Sequence, residues 1–324
     1  MPEPIVVLLY STRFVPDDVL AHIGGLVPPG FQWRALEQGA SREERAAAFA
    51  AADYMFAYLG DPTPEELGGA RRLRLFQLLS AGYDWLDLDA FRRAAIPLAN
   101  NEGSNAVSTA EHAVLLMLAL LKQLPRHHAA TARGKWLAMS QVMQMRELRG
   151  KVVGLVGFGN IARQVARRVH AFDASVRYAK PQRAAPELEQ PSAAQHCTLD
   201  ELLAVSDIVS LHAPLTAQTH GLIDARALAR MRPGGWLINT ARGPLVDEAA
   251  LVAALLSGQL AGAGLDVFAH EPIDPGSPLL RLSNVVLTPH VAGSTRDTWN
   301  GRMAAAWANV QRVEAGLAPA SRIA

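Results

Sequence analysis

Only one cysteine, Cys197, occurs in the 324 residues, so no disulfide can close within the chain, and a reducing compartment such as the cytoplasm is expected. No stretch reaches the roughly 20 apolar residues that span a bilayer. The most apolar segment, 113–121, is bounded by His112 and Lys122 and reads as a helix buried on most sides, at a domain or subunit interface. The run Ile5–Tyr10 is too short for the core of a secretion signal and follows Glu3 rather than a lysine or arginine. Neither sign of charge dominates: 31 Lys and Arg face 30 Asp and Glu, and no long basic run exists. Nucleic acid and anionic membranes are therefore not expected partners. No metal is expected either, since His127-His128 has no Asp, Glu or Cys nearby at ligand spacing.

What is present is apolar and rhythmic. Half of the residues are hydrophobic, and the length suggests two domains with ample core. Residues 1–100 alternate short apolar runs (5–10, 32–36, 54–59, 75–79, 96–99) with amphipathic stretches (16–23, 42–51, 64–70, 86–94). That alternation predicts an open parallel sheet with helices on both faces. The turn Leu79-Ser80-Ala81-Gly82-Tyr83-Asp84 after the fourth run is small and could offer backbone N–H groups to an anion. A long helix is predicted to about residue 124, with Thr109 and His112 in its first turns. The rhythm then resumes with six strands (152–156, 175–178, 208–211, 236–239, 262–266, 285–287) and helices that include 199–205, 224–230 and 248–257. A helix over 296–315 is expected to return to the first domain, so that the chain crosses near Asn100 and Pro289.

One stretch organises the rest. The run 152–156 ends in Gly157, Phe158, Gly159, Asn160, Ile161 and Ala162, a G-x-G-x-x-A turn, and a helix follows. A dinucleotide pyrophosphate needs this order: one glycine for the tight turn, a second so that the backbone can approach the phosphates, and a helix N-terminus with free N–H groups. A plain strand–helix turn is the alternative.

Three ionisable residues follow three predicted strands. Arg242 comes after WLINT, Glu271 after GLDVF and His290 after VVLTP. In a doubly wound sheet ligands bind at the carboxyl ends of the strands. The set suits reduction of a 2-keto acid: the guanidinium forks onto a carboxylate and a carbonyl oxygen, the imidazolium protonates that oxygen as hydride arrives, and the glutamate orients the ring and favours its charged form. Singly, each could be a loop arginine, a turn glutamate or a strand-end histidine. Their shared placement favours chemistry.

With these residues in place, the chain resembles the D-isomer-specific 2-hydroxyacid dehydrogenases from about residue 75 to 316. The resemblance rests on GLVGFGNIA (154–162), TLDELLAVSDIVSLHAPLT (198–216), INTARGPLVDEAAL (238–251), GAGLDVFAHEP (262–272) and NVVLTPHVAGST (284–295). It implies an α/β fold of two doubly wound parallel-sheet domains. A Rossmann-type cofactor domain, 101–290, would be inserted into a flavodoxin-like substrate domain, 1–100 plus 291–324. It implies Arg242, Glu271 and His290 as catalytic residues, with Arg242 and His290 also holding substrate. Gly157, Phe158, Gly159, Asn160, Ile161, Thr109, Ala213, Pro214, Leu215, Thr219, Thr240, Ala241 and Asp266 would line the cofactor, with Asp266 near the nicotinamide amide. Ser80, Ala81 and Gly82 would bind the substrate carboxylate, and Asn105 would lie near nicotinamide or substrate. A homodimer is expected.

Two positions depart from the pattern. The third glycine is Ala162, which close packing tolerates. At the end of the strand 175–178, where an acidic residue would bind the ribose hydroxyls of NAD, the sequence is Ala179-Lys180-Pro181-Gln182-Arg183. Lys180 and Arg183 could pair with a 2′-phosphate, which favours NADP; a solvated basic loop that accepts NAD is the alternative. Glyoxylate, hydroxypyruvate or a larger 2-keto acid is expected as substrate. Formate dehydrogenases of this family carry glutamine in place of Glu271, and phosphite dehydrogenases carry a lysine in the turn at 80–83, so both fall behind. A dinucleotide-sensing corepressor that keeps the fold is the alternative of a different class.

Overall fold

The computed structural model describes residues 2–324, apart from the side chains at 140 and 141. The chain divides into two compact units, one running to Asn105 and resuming over Thr295–Ala324, the other Ala106–Ser294. These divisions fall a few residues beyond 100/101 and 290/291, for a local reason. Asn101 is held inside the first unit by Asn101 N–H to the Ser80 carbonyl (3.0 Å) and by its side-chain amide to the Arg302 carbonyl (2.9 Å). Val291 and Ala292 are held inside the second by the carboxylate of Asp266.

In the first unit the order is β1 (Ile5–Tyr10), α1 (Asp17–Gly24), β2 (Gln32–Glu37), α2 (Arg42–Ala51), β3 (Tyr54–Ala57), α3 (Pro64–Gly69), β4 (Leu75–Leu78), α4 (Leu88–Ala94) and β5 (Leu98–Ala99). The strands form one parallel sheet in the order β2-β1-β3-β4-β5, the flavodoxin-like arrangement. Every residue of β3 and β4 is buried, because helices cover both faces and leave no room for polar alternation. Capping boxes start two helices, Ser41 with Glu44 on α2 and Thr63 with Glu66 on α3. Three strands are shorter than expected: β3 stops before Leu59, whose φ of 55° leaves the extended region, β4 ends one residue early at Leu78, and β5 begins only after Pro97, which has no N–H for the ladder. The C-terminal helix, Arg296–Glu314, buries Trp299, Met303, Ala306 and Trp307 against Val6, Leu8 and Phe56 of this sheet. Residues after it bridge antiparallel to β5 at Ala99 and Arg322.

The second unit runs α5 (Ala106–Leu121), α6 (Leu124–Thr131), β6 (Val152–Val156), α7 (Asn160–His170), β7 (Ser175–Ala179), α8 (Pro186–Glu189), β8 (Gln195–His196), α9 (Leu199–Val205), β9 (Ile208–Leu211), α10 (Ala225–Arg230), β10 (Gly235–Asn239), α11 (Glu248–Leu256), β11 (Leu260–Leu265) and β12 (Val285–Leu287). All strands are parallel, in the order β12-β11-β10-β9-β6-β7-β8. The sheet has seven strands rather than six; β8 is two residues long and too short to show as an apolar run. Strand order reverses between β6 and β9, which opens a crevice at their carboxyl ends. The long helix stops at Leu121 rather than near 124, because Gln123 turns left-handed (φ 49°) into α6. Helix α5 lies close to the sheet at Gly264, where an added Cβ would stand 2.9 Å from that of Leu116. Among the described residues no single helix is long and apolar enough to cross a membrane.

Candidate active site

The glycine turn sits at the end of β6, at the switch point of the seven-stranded sheet. Gly157 has φ of 94°, and a Cβ there would lie 2.7 Å from the His212 carbonyl oxygen at the end of β9. Both facts demand glycine. Gly159 serves a different purpose. It caps α7 with no side-chain hydrogen bond, and a Cβ added to it would meet nothing within 4 Å. Gly159 therefore brings no capping side chain and no Cβ to the helix start, and leaves room for an anion beside it. Ala162 is fully buried in the core cluster, so a methyl group fits where a third glycine was expected. The Phe158 ring turns inward and stacks on Tyr178 with centroids 4.0 Å apart, leaving its backbone to face a ligand. The Asn160 side chain accepts from Arg163, and Ile161 packs on the core.

The other expected cofactor residues fall in the same unit, on helix α5 and after strand ends. Thr109 on α5 and Thr240 after β10 have buried hydroxyl oxygens with no hydrogen-bond partner among the described residues. A buried hydroxyl without a partner costs free energy unless a ligand supplies one. Ala213 and Leu215 pack on the core after β9, and Thr219 locks that loop, donating to the Pro214 carbonyl (2.6 Å) and accepting from Thr216 N–H (2.8 Å). His212 bonds Ser210 through Nε2 (2.9 Å), and desolvation pushes its pKa down to about 3, so the ring beneath the turn is neutral. Together the open glycine cradle, the helix start without a capping side chain on Gly159 and the two orphan hydroxyls fit a dinucleotide.

The charged residues fall on the neighbouring strand ends. Asn239 at the end of β10 shapes the next turn: its amide donates to the Arg242 carbonyl (2.9 Å) and its oxygen accepts from Ala241 N–H (3.0 Å). After β11, Glu271 accepts from Phe268 N–H (3.1 Å) and its other oxygen meets His290 Nδ1 at 2.7 Å. Burial pushes the Glu271 carboxyl up, but the His290 hydrogen bond and charge, the Phe268 N–H and the Arg242 charge outweigh it, and the net direction is down. Glu271 is thus a carboxylate at neutral pH. It fixes the ring through Nδ1 and leaves Nε2 outside that contact. The Arg242 guanidinium donates to the Ala241 carbonyl (2.8 Å) and bears electrostatically on Glu271.

Asp266 does something the sequence did not suggest. It is fully buried, and its carboxylate bonds within the chain: Oδ1 accepts from the Thr288 hydroxyl (2.7 Å) and Val291 N–H (2.9 Å), and Oδ2 from Ala292 N–H (2.9 Å). His290 N–H also donates to the Asp266 carbonyl (2.8 Å). These bonds hold His290 at φ 55°, left-handed backbone that a side chain avoids. Since the Thr288 hydroxyl donates to Asp266, His112 Nε2 is the donor in its 2.9 Å bond to that hydroxyl. Thr288, His112 and Asn239 are neighbours of the site to which the sequence assigned no role. Asn239 and Thr288 lie inside the runs that lead to Arg242 and His290, which is the signal that could have found them.

The remaining expected residues are placed as follows. Lys180 and Arg183 follow β7; Lys180 is exposed, and Arg183 is paired with Glu189 (2.8 Å). In the first unit the turn after β4 has its oxygens tied. Ser80 Oγ donates to the Gly82 carbonyl (2.9 Å) and Asn100 donates to the Ala81 carbonyl (2.7 Å), while the N–H groups of Ala81 and Gly82 make no hydrogen bond among the described residues. Asn105 closes that unit.

Known proteins fit this geometry. A model of the D-isomer specific 2-hydroxyacid dehydrogenase NAD-binding domain matches residues 114–292. D-3-phosphoglycerate dehydrogenase of Mycobacterium tuberculosis is 38% identical over 296 residues, covering 90% of this chain and 53% of that protein. The chain spans about half the length of the curated phosphoglycerate dehydrogenases it matches. Glyoxylate reductase of Korarchaeum cryptofilum is 37% identical over 255 residues, 78% of this chain and 76% of that protein. The solved structure of an acyclic imino acid reductase (Bsp5) in complex with NADPH and D-Arg is 26% identical with a TM-score of 0.84, covering 99% of this chain and all of that one. The family match spans both the cradle and the Glu271–His290 couple, and on that ground this chain belongs to the D-isomer-specific 2-hydroxyacid dehydrogenases, a family of NAD-binding oxidoreductases.

Proposed function

We propose that the protein reduces a small 2-keto acid to the D-2-hydroxy acid with NADH or NADPH, and runs the reverse oxidation. The observation that carries this is the 2.7 Å contact of His290 Nδ1 with the Glu271 carboxylate, on two strand ends of the sheet whose switch point carries the glycine turn. The reduced dinucleotide supplies a hydride. His290 gives a proton to the carbonyl oxygen through Nε2 and takes it back in the oxidation; Glu271 orients the ring and stabilises its cationic form. Arg242 polarises the carbonyl or holds the carboxylate as a fork of donors. In the first unit, the Ala81 and Gly82 N–H groups suit a carboxylate. Glyoxylate and hydroxypyruvate are the first substrates to try, because relatives are named for reducing them. Lys180 at the end of β7 favours acceptance of NADP, and the NADPH complex of a structural neighbour supports that reading.

The test is turnover. Reduced dinucleotide absorbance is followed with a panel of 2-keto acids, for wild type and His290→Ala. Wild type should consume cofactor, and the variant should lose on the order of 10³-fold or more in kcat while binding dinucleotide normally. Cofactor binding without consumption on any keto acid would overturn the proposal. A homodimer is part of the same reading: α6 and the segment after it expose Leu124, Trp136 (84%), Met139 and Met143 (83%), more apolar surface than a solvated arm needs. Sedimentation should show a dimer that Trp136→Glu with Met143→Glu weakens.

A further inference from the structure

Three side chains interlock at the end of β7. Arg183 Nε and Nη2 donate to the two oxygens of Glu189 at 3.0 and 2.8 Å. The same carboxylate accepts from the Tyr178 hydroxyl, which in turn accepts from Ala184 N–H at 2.9 Å. Tyr178 is fully buried and stacks on Phe158 of the glycine turn, and Glu189 is only 7% exposed. The latch is therefore anchored in the core beside the turn. Lys180, immediately after the strand, is exposed and has no acidic partner among the described residues.

A doubly wound domain reads the adenosine ribose at the end of its second strand, here β7. The sequence has two cations there; the structure leaves one uncompensated. We infer that Glu189 sets the dinucleotide choice, by neutralising Arg183 through its Nε–Nη2 edge and leaving Lys180 as the uncompensated cation for a 2′-phosphate. The inference deepens the reading above and rests on unit two binding the dinucleotide. The carboxylate neutralises Arg183 and fills its Nε–Nη2 edge; the Nη1 edge of this exposed side chain stays open, but a phosphate there must share the guanidinium with Glu189, and turning the filled edge outward leaves a buried carboxylate with only the Tyr178 hydroxyl. Titration does not open the latch: the Arg183 and Tyr178 hydrogen bonds hold the Glu189 carboxyl down to about 2. Glu189 is a positioning residue, acting through Arg183.

Dissociation constants for NADPH and NADH, and for adenosine 2′-phosphate alone, test this in wild type, K180Q, R183Q, E189Q and the double variant R183Q/E189Q. Glutamine at 189 still accepts from Tyr178 but no longer neutralises Arg183. E189Q should tighten NADPH and adenosine 2′-phosphate about tenfold, the worth of one added charge-assisted hydrogen bond, while NADH changes less than about twofold. That tightening should vanish in R183Q/E189Q. R183Q alone should change NADPH affinity by less than about twofold, whereas K180Q should weaken it about tenfold; K180Q leaves all three latch residues in place, and a melting curve checks that R183Q folds. An R183Q loss as large as that of K180Q, or an E189Q that leaves NADPH affinity unchanged while both dinucleotides bind, overturns the role of Glu189 alone. A wild type that binds neither dinucleotide overturns the cofactor reading, and this inference with it.

Discussion

Replacing Asp266 by asparagine takes one acceptor from a turn that uses three bonds to hold its shape. The wild-type carboxylate receives the Thr288 hydroxyl and Val291 N–H on one oxygen and Ala292 N–H on the other. An amide of the same size can serve one oxygen's donors; its nitrogen then faces a donor on the other side. A buried donor left without an acceptor costs about 1–3 kcal/mol, so about 2 is the central expectation. The turn meanwhile keeps His290 at φ 55°, which costs a residue with a side chain on the order of 1–2 kcal/mol. Loss and strain are of one size, so the left-handed turn no longer dominates. A shift of about 2 kcal/mol is close to 30-fold in population. Asp266→Asn should thus lower kcat/KM by about 30-fold and the thermal midpoint by about 4–8 °C, while dinucleotide affinity moves less than about threefold. Initial rates at saturating cofactor, a dinucleotide titration and a melting curve separate these effects. If dinucleotide affinity collapses while saturated kcat stays at the wild-type level, Asp266 serves the nicotinamide amide and not the turn.

Two further outcomes follow from the same unit. Gly157→Ala should abolish dinucleotide binding and cost about 2 kcal/mol or more, because φ of 94° and a Cβ 2.7 Å from a backbone oxygen strain any side chain there; calorimetric titration against wild type reads it, and normal binding would refute the cradle. His212 makes the fold acid-sensitive. Its pKa, pushed down to about 3 in the fold, lies below its ordinary value near 6.5, so protonation favours the unfolded chain: stability is full above that ordinary value and is lost as pH falls from about 6.5 towards 3. Melting temperatures of wild type and His212→Gln, compared at neutral and acidic pH, should differ in slope, with the variant flatter; equal slopes would count against a neutral buried ring.

Much of the site is legible in the chain because it depends on order along it. A strand, a glycine turn and a helix are consecutive, so 152–170 reads directly as a phosphate cradle. Arg242, Glu271 and His290 each follow a strand within a few residues, and parallel sheets deliver all strand ends to one edge. The departures have physical causes. Strand β8 escapes the pattern because two residues carry no periodicity, and the helix end at 121 because the left-handed turn falls on Gln123 rather than on a glycine, with Pro125 two residues further on. The Phe158 ring, grouped with the cofactor residues, turns into the core because Tyr178 offers it a stacking partner.

Glu189 and Asp266 mark the boundary between the two kinds of information. Local order alone determined the alternating elements, the cradle and which ionisable groups reach the catalytic edge, since each rests on neighbours a few residues apart. Tertiary structure decided which charges are paired. A carboxylate six residues on folds back to Arg183, and residues 22 to 26 positions later bring their donors to Asp266. Pairing between side chains is a matter of distance in space, and only the packed chain fixes that distance.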